Sequence, residues 1–199
     1  MIQPAKKHYT PEEYMALEEV ADYKSEYYEG QIYAMSGGSV PHSTICVNLL
    51  TELGQKFKKQ PCRVFNSDLR ILVQQNGLYT YPDVAVVCGE LQYAANKDGS
   101  LRNDTITNPV LLAEVLSPST KNYDQGGKFA MYRTLPSLQH YLLLDSERIY
   151  LDHYQKTAQG WLLRTYQSRD DSLPLALGGS RFKLNLTALY NKVTFDEGE

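Results

Sequence analysis

The sequence predicts an α/β fold, an α/β sandwich with a mixed central sheet and flanking β-hairpins. Three observations predict it: continuous apolar runs of strand length, helical apolar spacing in the segments between them, and turn residues that separate short alternating segments. Of the 199 residues, 42% are hydrophobic, which is enough to fill a core and argues against disorder. We expect one domain over residues 1–199.

The amino-terminal part of the chain predicts two helices separated by a hairpin. Residues 10–19 begin with a Thr-Pro-Glu-Glu capping box, which marks a helix start. Residues 25–36 predict a hairpin whose turn lies at Glu29-Gly30. A longer helix begins near Pro41. Its apolar positions follow helical spacing and are Ile45, Leu49, Leu50, Leu53 and Phe57.

Buried strands dominate the centre of the chain. The strand-like runs are Arg63–Phe65 continuing to Asp68–Val73, Pro82–Cys88, Val110–Leu116 and His140–Asp145. The second and third runs are apolar apart from one carboxylate each, which is typical of strands covered on both faces. Residues 89–109 predict a polar connection, and a helix is expected within about 121–135. Further strands and a short helix around 186–192 complete the prediction.

The cysteines, the charge and the chain start exclude several classes of protein. Cys46, Cys62 and Cys88 are odd in number and form no CxxC pair, so we expect buried free thiols and no disulfide or structural zinc site. The net charge of −3 argues against non-specific coating of nucleic acid. No run of about 18 apolar residues could span a membrane, and the start lacks the apolar centre of a signal peptide. We therefore expect a cytoplasmic protein.

One stretch is locally basic. Residues 56–70 contain five basic side chains against Asp68: Lys56, Lys58, Lys59, Arg63 and Arg70. Such a stretch can contact a phosphate backbone, or it can be a solvated helix end, and the sequence leaves both readings open.

Two carboxylates interrupt the apolar strands. Asp83 lies at the mouth of one strand and Glu114 lies inside the next. An ionised carboxylate in such a place costs several kcal/mol unless a cation, a proton or hydrogen-bond donors compensate it. Two of them on adjacent strands can converge on Mg²⁺, which takes oxygen ligands. Alternatively, Asp83 accepts backbone N–H groups and Glu114 pairs with Lys128 or an arginine.

Pro82-Asp83, followed 31 residues later by Glu114, resembles the PD-(D/E)XK nuclease superfamily. The chain is most similar to the Uma-type family of restriction-endonuclease-like proteins that is abundant in cyanobacteria. The matching segments are Glu26–Gly30, His42, Tyr81–Val84, Glu114–Thr120, Asp124 to Lys128 to Tyr132, and Tyr141–Asp145. The resemblance implies a restriction-endonuclease-like sandwich. It also implies a Mg²⁺- or Mn²⁺-dependent endonuclease acting on nucleic acid, with DNA as the expected substrate.

The chain departs from the superfamily pattern at Leu116, where a lysine is usual two residues after the glutamate. An apolar side chain cannot activate water or neutralise a phosphate. The resemblance implies that Lys128, on the following helix, is the relocated catalytic lysine. The simpler reading is an i,i+4 ion pair between Asp124 and Lys128. Tyr132, four residues further on, is expected to serve packing.

The resemblance adds two side chains to the catalytic set of Asp83, Glu114 and Lys128. It implies Glu26 as a further metal or water ligand and His42 as a donor to phosphate or to a metal-bound water. From local sequence alone, Glu26 is an exposed strand carboxylate and His42 is a helix amino-terminal residue.

The interpretation is therefore a Mg²⁺-dependent endonuclease, with the metal on Asp83 and Glu114. Many tyrosines and a hairpin-rich periphery favour a homodimer. The competing hypothesis is a catalytically inactive nucleic-acid-binding or assembly module on the same scaffold. A non-nuclease hydrolase or a small-ligand protein using the same acids also stays open.

Overall fold

The computed structural model describes residues 7–118 and 120–195. Segment 1–6, which bears on the signal-peptide prediction, and Ser119 of the Glu114–Thr120 segment lie outside the described residues, as do residues 196–199. In the described part of the chain, no helix is both long and apolar enough to cross a membrane.

The core of the described chain is a six-stranded mixed sheet. In spatial order its strands are β12 (Gly160–Tyr166), β11 (Leu151–Thr157), β10 (His140–Asp145), β9 (Leu111–Leu116), β6 (Val84–Cys88) and β3 (Cys62–Asn66). Strands β9 and β10 run parallel, and the other neighbours run antiparallel. Every residue of β9 and β10 is buried, because both faces of the sheet are covered.

A second sheet packs over one face of the central sheet. Its strands, in spatial order, are β2 (Gln31–Ala34), β1 (Ser25–Tyr28), β5 (Leu78–Thr80), β4 (Arg70–Val73), β8 (Leu101–Ile106) and β7 (Tyr93–Ala95). Two predictions are corrected here. The run 63–73 does not continue as one strand, because β3 and β4 lie in different sheets. Residues 89–109 are not only a connection, because they contain β7 and β8.

Helices cover both faces of the central sheet. On one face, α2 (Val40–Phe57), α5 (Leu186–Leu189) and the hairpin of β13 (Ser172–Leu177) and β14 (Ser180–Asn185) share an apolar cluster with it. The other face is covered by the second sheet together with three short helical segments, which are α3 (Lys121–Tyr123), a π-helical turn (Asp124–Lys128) and α4 (Phe129–Tyr132). Helix α1 (Pro11–Glu18) packs beside β1. The predicted α/β sandwich with a mixed central sheet is confirmed.

Local signals in the amino-terminal part correspond to the observed elements. The capping box of α1 is formed in both directions, since Thr10 Oγ1 accepts from Glu13 N and Glu13 Oε2 accepts from Thr10 N. The β1–β2 turn places Glu29 at φ 47° and Gly30 at φ 76°. Two successive positive φ angles suit the twist of a tight hairpin, and glycine adopts one of them at no steric cost.

The cysteine prediction is wrong for two of the three residues. Cys62 and Cys88 form a disulfide with an S–S distance of 2.01 Å, and Cys46 is free. The register of β3 against β6 places Cys62 directly opposite Cys88. The two residues are 26 positions apart in sequence, so only the strand pairing reveals that they are neighbours.

Candidate active site

Asp83 and Glu114 meet on the same face of the central sheet. Strand side chains alternate between faces, and Leu116 lies in the apolar cluster shared with the second sheet, so Glu114 points to that side as well. Val84 pairs with Ala113 across β6 and β9, so Asp83 lies beside Glu114 at the strand end. The backbone N–H of Asp83 donates to Glu114 Oε2 at 3.3 Å.

Lys128 lies among three carboxylates. Its Nζ is 2.8 Å from Glu26 Oε1, 3.0 Å from Glu114 Oε1 and 3.6 Å from Asp124 Oδ1. The residue is only 4% exposed. Lys128 therefore lies beside Glu114, as the resemblance implies, and it also forms the i,i+4 ion pair with Asp124. Leu116, at the usual lysine position, is 1% exposed and packs in the apolar cluster.

The π-helical turn points both of its charged residues inward. Asp124 and Lys128, at its two ends, are each 4% exposed, and Gly126 and Gly127 lie between them. Tyr141 of β10 donates its hydroxyl hydrogen to the carbonyl of Asp124 at 3.1 Å, which ties the turn to the central sheet. Turns of this type widen a helix locally and recur at functional sites.

Three hydroxyl groups orient the buried acids. Tyr132 donates to Glu114 Oε1 at 2.8 Å, Tyr123 donates to Glu26 Oε2 at 3.2 Å, and Thr80 donates to Glu26 Oε1 at 2.5 Å. The expectation that Tyr132 serves packing is therefore incomplete. Its i+4 spacing from Lys128 was the available signal, since such residues share a helix face. Nothing in the sequence near Thr80 indicated its contact, and Glu26 is buried rather than exposed.

His42 reaches the site from the first turn of α2. Ser39 caps this helix, because its Oγ accepts from His42 N at 3.3 Å. The ring Nε2 lies 3.3 Å from Asp83 Oδ2, and that oxygen also accepts from Val115 N at 2.7 Å. A Cβ at Gly38 would lie 2.5 Å from His42 Nδ1, so the absence of a side chain there permits this ring position.

A cavity of about 580 Å³ joins these groups. Its described lining includes all five side chains singled out from the sequence, namely Glu26, His42, Asp83, Glu114 and Lys128, together with Asp124. Four carboxyl groups therefore face one lysine among the lining residues that the structure describes. The volume falls in the range of small-molecule sites.

The pKa values reflect burial first and the surrounding charges second. Burial raises the pKa of Glu114 to about 8 and also raises the pKa of Asp124. Burial opposes the charge of Lys128, but the surrounding acids outweigh it and raise its pKa. Burial likewise opposes the charge of His42, but its hydrogen bond to Asp83 raises the pKa of the imidazole overall. Burial and the neighbouring acids therefore disfavour the ionised forms of Glu114 and Asp124 in the absence of a cation.

The donor set fits a divalent metal ion. Carboxylate oxygens are the ligands that Mg²⁺ takes, and one or two of them commonly suffice. Asp83 and Glu114 supply such oxygens side by side at the cavity wall. Because the acids outnumber the lysine, a divalent cation would relieve their mutual repulsion.

The basic stretch is not part of this site. Lys56, Lys58 and Lys59 are exposed at the carboxy-terminal end of α2, roughly 20 Å along the helix from His42. Arg70 is 5% exposed and pairs with Asp104, so it offers no charge to a ligand at the surface. Arg70 is therefore not available to a phosphate backbone, and both readings stay open for the exposed Lys56, Lys58, Lys59 and Arg63.

The chain resembles known proteins over most of its length. One relative, "Uncharacterized protein slr1290" from Synechocystis sp. (strain PCC 6803), is 45% identical over 164 residues, which is 81% of this chain and 82% of the relative. A second, "Uncharacterized protein sll1609" from the same organism, is 37% identical and is matched over 82% of this chain and 90% of the relative.

A solved structure shares the fold. It is a crystal structure described as "a putative nuclease belonging to DUF820" from Anabaena variabilis. It superposes with a TM-score of 0.74 at 20% identity, covering 92% of this chain and 98% of the other. Residues 11–187 match the family Uma2, described as "Putative restriction endonuclease". With this match and relatives at 45% and 37% identity, the chain belongs to the Uma2 family.

Proposed function

We propose that the chain is a metal-dependent endonuclease that hydrolyses phosphodiester bonds of DNA, with Mg²⁺ or Mn²⁺ held by Asp83 and Glu114. One observation carries the proposal: two acids on paired strands face one cavity in which carboxyl groups outnumber lysine. The description of the family and that of the Anabaena variabilis protein support a nuclease.

The chain's own residues would position and polarise the substrate. A divalent cation on Asp83 and Glu114 would lower the pKa of a bound water and stabilise charge on the phosphate. His42, whose Nε2 lies 3.3 Å from Asp83 Oδ2, would donate a hydrogen bond to a phosphate oxygen. Lys128 would hold Glu26 and Glu114 in place and stabilise negative charge that develops in the cavity.

The competing function is a nucleic-acid-binding or assembly module without catalysis. The observation that favours it is Leu116, which supplies no charge at the usual lysine position, while Lys128 is occupied by ion pairs. Such a module predicts association with nucleic acid and no metal-dependent product.

A cleavage assay separates these functions. Purified protein is incubated with plasmid DNA, labelled single-stranded DNA or RNA, with and without Mg²⁺ or Mn²⁺. We expect Asp83→Asn and Glu114→Gln to slow cleavage at least about 10³-fold, equivalent to about 4 kcal/mol in the barrier. Asp104→Asn, an acid outside the cavity, is the matched control and should cut at the wild-type rate. Equal cleavage by all variants would contradict the proposed site, and binding without product would favour the module.

Three further predictions concern the oligomeric state, the location in the cell and the number of domains. A homodimer would offer two sites for the two strands of a duplex, and sedimentation of the full chain measures this. A cytoplasmic location and a single domain over residues 1–199 also stay predictions.

A further inference from the structure

A second group of metal-ligand atoms lies beside the proposed magnesium site. A ring nitrogen of His42, the Sγ of Cys46 and a carboxylate oxygen of Asp83 all lie within 4.8 Å of one another. His42 and Cys46 are one turn apart on α2, so the helix itself holds them on one face. Cys46 Sγ is 3.6 Å from His42 Nδ1, and Asp83 Oδ2 is 3.3 Å from His42 Nε2.

The 3.6 Å and 3.3 Å contacts involve different nitrogens of the His42 ring, so a shared tetrahedral ion requires the side chains to turn until one ring nitrogen faces both Cys46 and Asp83. Zinc binds sulfur at about 2.3 Å and histidine nitrogen or carboxylate oxygen at about 2.0–2.2 Å, so its ligand atoms lie roughly 3.3–3.6 Å apart. Three protein ligands leave a fourth position for water. The group is partly buried but adjoins the cavity through His42 and Asp83.

The ligand types distinguish this group from the pair of acids beside it. Asp83 and Glu114 offer only hard oxygens, which suit Mg²⁺. A thiolate and an imidazole select softer ions such as Zn²⁺ and bind Mg²⁺ poorly. Cys46 is the free cysteine among the described residues, so its sulfur is not committed to a disulfide.

We propose that His42, Cys46 and Asp83 form a Zn²⁺ site distinct from the magnesium site but sharing Asp83 with it. Binding converts the Cys46 thiol to a thiolate that bonds to the ion, and the thiol proton is released to solvent. Because Zn²⁺ would compete for the Asp83 carboxylate that the proposed magnesium site also uses, we expect Zn²⁺ at this site to inhibit the Mg²⁺-dependent reaction. The inhibition rests on the proposed function, whereas the binding of zinc does not.

The binding is tested with Co²⁺ as a spectroscopic substitute for Zn²⁺, added to the metal-free full-length protein with its disulfide intact. The wild-type protein should show a thiolate-to-cobalt charge-transfer band that equimolar Zn²⁺ removes. Cys46→Ser should lack the band. Glu114→Gln, which changes only the neighbouring acid pair, should keep it. Absence of the band in the wild-type protein, or its persistence in Cys46→Ser, would overturn the proposal.

A competition with a chromophoric zinc chelator gives the affinity. Cys46→Ser should bind Zn²⁺ at least about 10- to 100-fold more weakly than wild type, since even outer-shell substitutions cause losses of that size. Unchanged affinity would overturn the site.

Where cleavage is observed, each variant's rate with Zn²⁺ is compared with its own rate without it. Inhibition should be strong in the wild type and much weaker in Cys46→Ser, and equal inhibition would contradict the shared use of Asp83. Absence of cleavage in every sample would instead count against the proposed function, while the cobalt spectrum still decides the zinc site.

Discussion

The chain contains two clusters of charged side chains that differ in charge balance and in burial. The first, the open cluster, consists of Glu26, Glu114, Asp124 and Lys128 at the cavity. The second, the closed cluster, consists of Arg70, Arg102, Asp104 and Glu19. Two arginines meet two acids in the closed cluster, whereas three acids meet one lysine in the open cluster.

The pKa values of the carboxyl groups also differ between the two clusters. Burial opposes the ionisation of Asp104, but its hydrogen bond to Arg102 lowers the pKa of that carboxyl. In the open cluster, burial raises the pKa of Glu114 to about 8. A cluster whose charges already compensate one another stabilises the fold, whereas one with uncompensated acid at a cavity is suited to bind a cation.

The largest expected effect on stability comes from breaking the closed cluster. Arg70→Leu should lower the free energy of unfolding by about 3 kcal/mol, because it removes a partner from Asp104 and from the Tyr81 hydroxyl. Chemical denaturation measures this. A loss below about 0.5 kcal/mol, the usual range of surface changes, would show that the closed cluster is not a structural element.

Replacing an acid of the open cluster by its amide should raise the free energy of unfolding, whereas Arg70→Leu lowers it. The pKa of Glu114 is raised from 4.5 to about 8, so the folded state binds this proton more tightly than the unfolded state. Without metal, wild-type stability should therefore fall as the pH rises from 4.5 to 8 and level off above that. Glu114→Gln carries no titrating proton and should flatten this dependence, so at pH 8 it should exceed wild type by on the order of 2 kcal/mol.

This experiment requires unfolding curves in a chelator at pH 5 and pH 8. Asp104→Asn is the control, because it removes a compensated acid and should destabilise at both pH values. If Glu114→Gln were less stable than wild type at pH 8, the difference that we infer between the two clusters would be contradicted.

The smallest expected effect lies outside both clusters. Lys58→Ala combined with Lys59→Ala should change stability by less than about 0.5 kcal/mol, because both residues are exposed. Cleavage should also stay near the wild-type rate, since these lysines lie roughly 20 Å from His42 along α2. A large loss of cleavage would mean that the substrate extends along α2 and that the charges of the cavity alone do not determine the cleavage rate.

Local sequence signals predicted most of the fold. The capping box of α1, the Glu29-Gly30 turn and the apolar runs of β6, β9 and β10 depend on residues close in sequence. Strand β7 was missed because it has only three residues, and β8 was missed because it is largely polar. The Cys62–Cys88 disulfide was missed because strand register, which composition does not encode, brings the two residues together.

The residues of the candidate site also differ in how far the sequence alone indicated them. Asp83 and Glu114 are visible in the sequence because each breaks an apolar strand, and the structure places them side by side. Glu26 and His42 carried no distinctive local pattern and were named through family resemblance. The contact of Thr80 with Glu26 depends on the register between β1 and β5, which places Tyr27 opposite Tyr79, so no spacing rule could indicate it.

The central claim is that Asp83 and Glu114 form a site for a divalent cation, and calorimetric titration of Mn²⁺ into the metal-free protein tests it most directly. Wild type should bind Mn²⁺ with a measurable heat, Asp83→Asn and Glu114→Gln should bind at least about tenfold more weakly, and Asp104→Asn should match wild type. Mn²⁺ binding of equal strength in all four proteins, or in none of them, would contradict the account.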